Sequence, residues 1–548
     1  MRRRTKRILT LSLLITALAT MAFRQVEDYF EVSKNLDIFA TVYKEVNMSY
    51  VDDVKPGELI REAIDAMLQS LDPYTNFYSE AQAEDYRFQV TGSYGGIGAT
   101  VRKKGDDLII DHPYENYPAS KAGLRAGDIL ISIDGKSVVG KKSSDLNELL
   151  KGAAGTKVVL HIDRPGIGDQ EYTLEREQIK MNNVPYFGMI NPKVGYIKLT
   201  GFTPDAGKEV RDATVDLMEK GAENLILDLR GNGGGLLHEA VNIVNVFIKK
   251  GQLVVTTRGK DRENDRSYVT LNAPVTTDLP LVVLIDGGSA SASEIVSGTM
   301  QDLDRGVLIG TRSYGKGLVQ TSRVLSYNTQ MKITTAKYYI PSGRCIQKLD
   351  YSTKKNGKAV VVADSLKQTY YTTNKRPVTD GEGVTPDVEM GAKELSKIAE
   401  SLQRNDIIFD YATKYRNSVE SIAEAAQFEF GHDDFQDFKE YSSSRDYGYT
   451  TETEKALQDL ERKADEEQYL ASIKHTVDAL RSEFERNKNA DIDRHEKEIT
   501  NLLETEIASR YYFDRATVEA TFDSDRDIQA ALDLFNNPKK YKAVLSGK

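Results

Sequence analysis

The chain of 548 residues has room for about three or four domains of ordinary size. Its 73 basic and 83 acidic residues leave a formal charge of −10 with no basic patch, which argues against nucleic acid as a partner because backbone phosphates need a positive field. A single cysteine, Cys345, excludes an internal disulfide, and six scattered histidines without C-x-x-C or H-E-x-x-H spacing predict no metal site.

Arg2, Arg3, Arg4, Lys6 and Arg7 precede an uncharged apolar run from Ile8 to Phe23. The run is shorter than the roughly 20 residues of a spanning helix but suits an export segment, and Ala17-Leu18-Ala19 offers a small-x-small cleavage site. Residues 1–24 are therefore expected to be a signal peptide or a retained membrane anchor. Residues 25–88 read as helical. Val32, Leu36, Phe39, Val42 and Val46, then Leu59, Ala63, Met67 and Leu71, recur at helical spacing until Asp72-Pro73. Between 89 and 165 a glycine-rich stretch leads into strand-like runs at 107–111, 128–133 and 157–162, with a helical piece at 144–150. From about 190 strand-like segments at 194–199, 224–229, 281–285 and 307–309 alternate with helical ones at 205–219, 236–248 and 291–303, which argues an α/β domain. That domain is placed at 166–390. Beyond it, 391–548 is charged and helix-prone with recurring apolar residues, and reads as a helical C-terminal domain.

Three segments could carry chemistry. Asp286-Gly-Gly-Ser-Ala-Ser-Ala-Ser-Glu294 lies between a predicted buried strand and a helix. Small residues there present a side chain without cover, and a serine opening a helix feels its positive end. The same residues also read as a plain serine-rich N-cap. No G-x-S-x-G elbow occurs, and His238 is the one histidine of the α/β region, so a Ser-His-Asp triad lacks its parts. Lys316 follows between Gly315 and Gly317. A lysine amine serves as a base only when desolvation lowers its pKa from about 10.4, whereas a lysine in a solvated turn does nothing. Gly310-Thr-Arg-Ser-Tyr-Gly315-Lys316-Gly317 approaches the phosphate loop G-x-x-x-x-G-K-[S/T], but Gly317 brings no hydroxyl for magnesium and the residues after it look like strand. In Arg230-Gly-Asn-Gly-Gly-Gly235, Leu236 stands where a dinucleotide fingerprint needs glycine; amides of such a turn can equally form an oxyanion hole.

Taken together, these segments resemble the C-terminal processing peptidases, or tail-specific proteases. Asp228-Leu-Arg-Gly-Asn-Gly-Gly-Gly-Leu-Leu237 is similar to that family's D-L-R-x-N-x-G-G-L-L, Ser289-Ala-Ser-Ala-Ser-Glu-Ile295 to S-A-S-A-S-E-I, and Tyr314-Gly-Lys-Gly-Leu-Val-Gln320 to F-G-K-G-x-x-Q. Pro341-Ser-Gly-Arg-Cys-Ile-Gln347, Gly383-Val-Thr-Pro-Asp387 and Leu71-Asp-Pro-Tyr-Thr75 match further motifs, with Cys345 where serine is usual and Gly233 where many relatives carry proline. The resemblance implies Ser291 as nucleophile, Lys316 as general base and Gln320 as the residue orienting it. It implies oxyanion amides at Ala292 and Gly234, with Glu294 in support and no metal or cofactor. The implied fold is a crotonase-like (ClpP/crotonase-type) α/β core with an inserted PDZ domain at 89–165, flanked by helical N- and C-terminal regions.

Gly95-Gly-Ile-Gly98 and Ala122-Gly-Leu-Arg-Ala-Gly-Asp128 look like a PDZ carboxylate loop and turn. Gly95, Gly96, Ile97 and Gly98 are thus expected to cradle the free C-terminus of a peptide added as a strand. The expected partners are protein or peptide substrates with a free C-terminus, in the bacterial cell envelope, either periplasmic, secreted or anchored to the membrane by the N-terminus. A homodimer stays open. Two rivals differ in class: a catalytically dead scaffold that only binds tails, and a nucleotide-binding protein built on 310–317.

Overall fold

The computed structural model describes residues 29–547 apart from 81, 84–85, 87–90, 142–148, 356–357 and 392–393. The expected export segment at 1–24 and most of the helical piece expected at 144–150 lie outside the described residues. The chain divides into two compact units, one formed by its N-terminal part to Glu80 with 320–334, the other by the remainder.

In the first unit residues 29–49 are helical, followed by the helix Pro56–Gln69, whose proline sits at the first turn where its missing N–H costs nothing. Asp72 Oδ1 accepts the amides of Tyr74 and Thr75, both at 2.8 Å, and so closes the turn after the second helix. The chain then enters a short strand, Asn76–Tyr78, that pairs antiparallel with residues 330–332.

In the second unit the runs expected as strands at 107–111, 128–133 and 157–162 form the middle strands of an antiparallel sheet, Asp107–Pro113, Ile129–Ile133 and Lys157–Arg164. Two strands not expected from the sequence, Ala99–Lys104 and Gly168–Glu175, flank them on either side. Along Lys157–Arg164 side chains alternate between partly exposed and buried, and Val158, Leu160 and Ile162 join Leu108, Ile110 and Leu130 in one core. Beneath it Arg164 donates to both oxygens of Asp128, at 2.7 and 2.8 Å, with both side chains buried.

A second six-stranded sheet carries the candidate site. Its strands are β1 (Tyr186–Asn191), β2 (Val194–Lys198), β3 (Asn224–Asp228), β4 (Leu281–Ile285), β5 (Val307–Gly310) and β6 (Val388–Glu389), hydrogen-bonded in that order. β1 is antiparallel to β2 and every later pair is parallel. Parallel strands are covered on both faces, which is why β4 reads as an unbroken apolar run and is wholly buried. On one face Leu225, Leu227, Val283, Ile285 and Leu308 pack against helices α1 (Ala206–Glu219), α2 (Leu237–Phe247) and α3 (Ala292–Asp302).

The opposite face, formed by Tyr196, Ile226, Val282, Leu284, Val307 and Ile309, is covered by the end of the chain. Ile528, Ala531, Leu534, Phe535 and Tyr541, from helices α4 (Arg526–Phe535) and α5 (Pro538–Ser546), lie against it. Tyr541 Oη also bonds both the amide and the carbonyl of Leu281 at the start of β4, each at 3.0 Å. The region 391–548, expected as a helical C-terminal domain, is helical and contributes to two cores. Ile398, Leu402, Tyr411, Phe435, Phe438 and Leu503 form a core of their own, while the last two helices complete the sheet of the α/β region. A sheet with an uncovered apolar face must find a partner layer, and this chain supplies it from a segment far downstream, Tyr541 lying 260 positions after Leu281. Among the described residues no helix is long and apolar enough to cross a membrane.

Candidate active site

The turn before α3 is built by hydrogen bonds that only its small residues allow. Asp286 Oδ1 accepts the amides of Gly231 (2.8 Å), Gly288 (2.9 Å) and Ser289 (3.1 Å), while Ser289 Oγ donates to Leu229 O at 2.9 Å. Ser289 and Ser293 are buried, Ser293 Oγ donating to Asn232 O at 2.8 Å, whereas Ser291 is partly exposed. Both neighbours of the expected nucleophile are therefore spent on structure. Ser291 sits at φ 57°, ψ −111°, a region that side-chain-bearing residues rarely occupy and that the surrounding bonds impose. It opens α3, so its side chain stands at the positive end of that helix, beside the first-turn amides, Ala292 N–H among them, that have no carbonyl within the helix.

Glu294 is fully buried and joins this turn to the lysine loop. Its Oε2 accepts the amides of Ser291 at 2.8 Å and of Lys316 at 2.9 Å; its Oε1 accepts Ser313 Oγ at 2.5 Å and the Gly315 amide at 2.7 Å. One oxygen atom thus holds the backbones of the two expected catalytic residues side by side. Burial pushes the Glu294 carboxyl above its usual range, against the lowering effect of those donors. Tyr338 Oη donates to Ser291 O at 3.1 Å, and burial followed by the nearby Glu294 charge raises its phenol well above the ordinary value. Lys316 is partly buried. The loop around it is clamped by Gly317 N–H on Gln347 Oε1 at 2.7 Å and by Lys348 N–H on Gly315 O at 2.9 Å.

The glycine turn 231–235 meets the nucleophile turn. A Cβ on Gly234, whose φ is +94°, would stand 2.6 Å from Ala290 O, 2.8 Å from Ala292 N and 2.9 Å from Ser291 Cβ. The structure therefore brings Gly234, Ala292 and Ser291 together. It differs from expectation in one respect: the Gly234 amide donates to Asn232 Oδ1 at 2.9 Å rather than pointing out as an unengaged oxyanion donor. An Asx turn uses that N–H locally, which sequence spacing does not reveal. Gln320 lies in the other compact unit, where its Nε2 donates to Thr334 Oγ1 at 3.2 Å. After Gly317 the chain runs into a strand, Leu318–Val324, so the helix that a phosphate loop would require is absent here.

Gly95 and Gly96 belong to a strand, Ser93–Gly96, that pairs with Glu177–Lys180 in a two-stranded sheet of its own, and the left-handed turn falls at Gly98, φ +73°. A Cβ on Gly98 would lie 2.3 Å from Tyr117 Cβ, so only glycine passes there. A strand pairing thus occupies Gly95 and Gly96, the first half of the expected cradle, and Ile97 and Gly98 follow it.

Residues 193–353 match the family model "Peptidase family S41", 109–164 a PDZ domain model, and 398–535 a model described as "Probable PDZ-protease, C-terminal helical domain". A carboxy-terminal-processing protease of Bartonella bacilliformis is 37% identical over 319 residues, covering 57% of this chain and 73% of that protein. The probable CtpA-like serine protease of Staphylococcus aureus strain N315 is 32% identical over 405 residues, 72% of this chain and 78% of that one. This chain belongs to the carboxy-terminal processing proteases. It is a serine-type peptidase of family S41 with a PDZ domain and a helical C-terminal region. A third relative, the carboxy-terminal processing protease CtpA of Bacillus subtilis, is 35% identical over 307 residues, 56% of this chain and 65% of its own.

For a protease of this family, sequence reasoning missed one group at the site. Asp228, at the end of β3, is buried and accepts from Tyr196 Oη at 2.6 Å and from the Arg230 guanidinium at 2.7 Å, with Lys198 at 3.2 Å. Burial alone would raise its carboxyl, but the Lys198 and Arg230 charges hold it well below the usual range. Its place in the D-L-R motif was the available signal; the partners come from separate strands.

Proposed function

We propose that this protein is an endopeptidase that cuts protein substrates near their C-termini through a Ser291–Lys316 dyad on a crotonase-like core. The observation that carries this reading is the shared Glu294 Oε2, which fixes the Ser291 and Lys316 amides to one acceptor. In this reading the neutral Lys316 amine takes the Ser291 Oγ proton as Oγ bonds to the scissile carbonyl carbon. The carbonyl oxygen gains negative charge at the positive end of α3, where Ala292 N–H receives it beside the Gly234 turn. The C–N bond then breaks, the lysine proton goes to the leaving amine, and water repeats the sequence on the acyl-enzyme.

The PDZ domain reads the substrate's terminal carboxylate at Ile97 and Gly98, with Gly95 and Gly96 shaping the approach. The domain plan is 1–24 for export or anchoring, 25–88 helical, 89–165 PDZ, 166–390 protease core and 391–548 helical. The site of action is the bacterial cell envelope.

The test incubates the purified protein with an unstructured tail and locates the cut by mass spectrometry. Ser291→Ala and Lys316→Arg should both abolish cleavage while tail binding persists, because an arginine keeps the charge but gives up no proton. Substantial turnover by Lys316→Arg would sink the dyad. An amide-capped tail should bind roughly ten- to a hundredfold more weakly than the acid, through loss of one charge-assisted hydrogen bond.

A further inference from the structure

The end of the chain reaches the active site through one arginine. Arg230 begins the glycine turn, and its guanidinium bridges two groups of acids. Nε and one terminal nitrogen grip Asp228, while the other terminal nitrogen lies 2.9 Å from Asp525 and 3.0 Å from Asp527, at the N-terminus of α4. Arg230 and both outer partners are largely buried, with side-chain exposures of 18, 20 and 18% for Arg230, Asp525 and Asp527. The Arg230 backbone is pinned as well, its amide to Asp228 Oδ1 at 2.9 Å and its carbonyl to Lys198 Nζ at 3.0 Å. Two residues on, Asn232 O accepts from Ala290 N–H and Ser293 Oγ, on either side of Ser291.

We propose that Asp525 and Asp527 are positioning residues of the active site: by holding Arg230 they set where the 231–235 turn presses on Ser291 and Ala292, so that the terminal helices tune catalysis and do not merely cover the sheet. A capping role alone would not require this arrangement. Asp525 already caps α4 by accepting the Asp527 and Ile528 amides, and that cap is complete without Arg230. Apolar packing by Leu534, Phe535 and Tyr541 already seats the helices on the sheet. The acids are instead aimed at the residue from which the turn departs. The inference rests on the proposed reading of Ser291 and the helix end as the reacting site.

The test compares the full-length protein with Asp527→Asn and Asp525→Asn/Asp527→Asn. Asparagine preserves the cap but removes the charges. Turnover of a short chromogenic peptide is measured, normalised to the folded fraction from circular dichroism. Affinity is measured for a peptide aldehyde and for the alcohol of the same sequence. The aldehyde carbon accepts Ser291 Oγ, the serine proton passing to the Lys316 amine, so its oxygen occupies the oxyanion position; the alcohol only binds. In the double variant kcat should fall about tenfold with KM within about twofold, and the aldehyde-over-alcohol preference should fall by a similar factor, since displacement of a reacting group by a fraction of an ångström costs about that much. Asp527→Asn alone should give a smaller loss of the same kind. Unchanged kcat and unchanged preference per folded molecule, with or without a lower melting temperature, would overturn the proposal and leave the acids purely structural. A wild-type protein that shows no aldehyde preference would instead overturn the oxyanion reading beneath it.

Discussion

Gly234→Ala isolates the contact between the glycine turn and the nucleophile. At φ +94° an alanine carries left-handed strain of about 1–2 kcal/mol. Its Cβ would also meet Ala290 O at 2.6 Å, Ala292 N at 2.8 Å and Ser291 Cβ at 2.9 Å, none of them the far end of a flexible side chain. Relieving the shortest contact to ordinary separation moves one turn by about 0.8 Å, and overpacking of this kind costs about 1–3 kcal/mol. The total loss of stability is then about 2–5 kcal/mol, readable by denaturant unfolding. The same displacement acts on Ser291 and the Ala292 amide, so kcat should fall about ten- to a hundredfold. Gly231→Ala provides the control, because it has φ +71° and nothing within 4 Å of its Cβ; it carries the strain without the collision. Gly233→Ala, with open space and no left-handed backbone, should stay within about 0.5 kcal/mol of the parent. The reasoning fails if Gly234→Ala and Gly231→Ala lose equal activity, since the collision would then contribute nothing.

Tyr541→Phe removes the hydroxyl that bonds both backbone groups of Leu281 and should destabilise the fold by about 2–4 kcal/mol, seen as a lower unfolding midpoint. Asp128→Ala leaves the buried Arg164 guanidinium without its carboxylate and should cost about 3–5 kcal/mol, with hydrogen exchange rising first within residues 99–175. Because burial raises the Glu294 carboxyl above its usual 4.5, the folded state binds its proton more tightly than the unfolded chain does. That contribution to stability is complete below 4.5 and is lost as pH rises through the folded-state value. Glu294→Gln should flatten the corresponding slope in unfolding free energy against pH, and parallel profiles for the two proteins would refute the assignment.

What the sequence determined by itself was local. Ser291 three residues before Glu294 has the capping-box spacing, and the carboxylate does return to the Ser291 amide. The unbroken apolar run at 281–285 is a strand buried on both faces, and the alternation of elements after 190 is a parallel sheet, because side-chain periodicity answers directly to the layer it faces. Motif order made the family recognisable. Periodicity says that an apolar face exists, however, and not what covers it. That α4 and α5 supply the second layer, and that Arg230 finds Asp525 and Asp527 there, depends on contacts between residues nearly 300 positions apart. The same holds for Glu294. Its spacing announced a helix cap, but its second pair of acceptor positions is filled from the 313–316 loop only once β4, α3 and β5 are packed. The Gly234 amide turned to Asn232, and Gln320 grouped with Thr334 in the smaller unit, because each donor takes the acceptor that folding brings nearest. A one-dimensional pattern ranks none of those competing acceptors; their distances are decided by the tertiary structure.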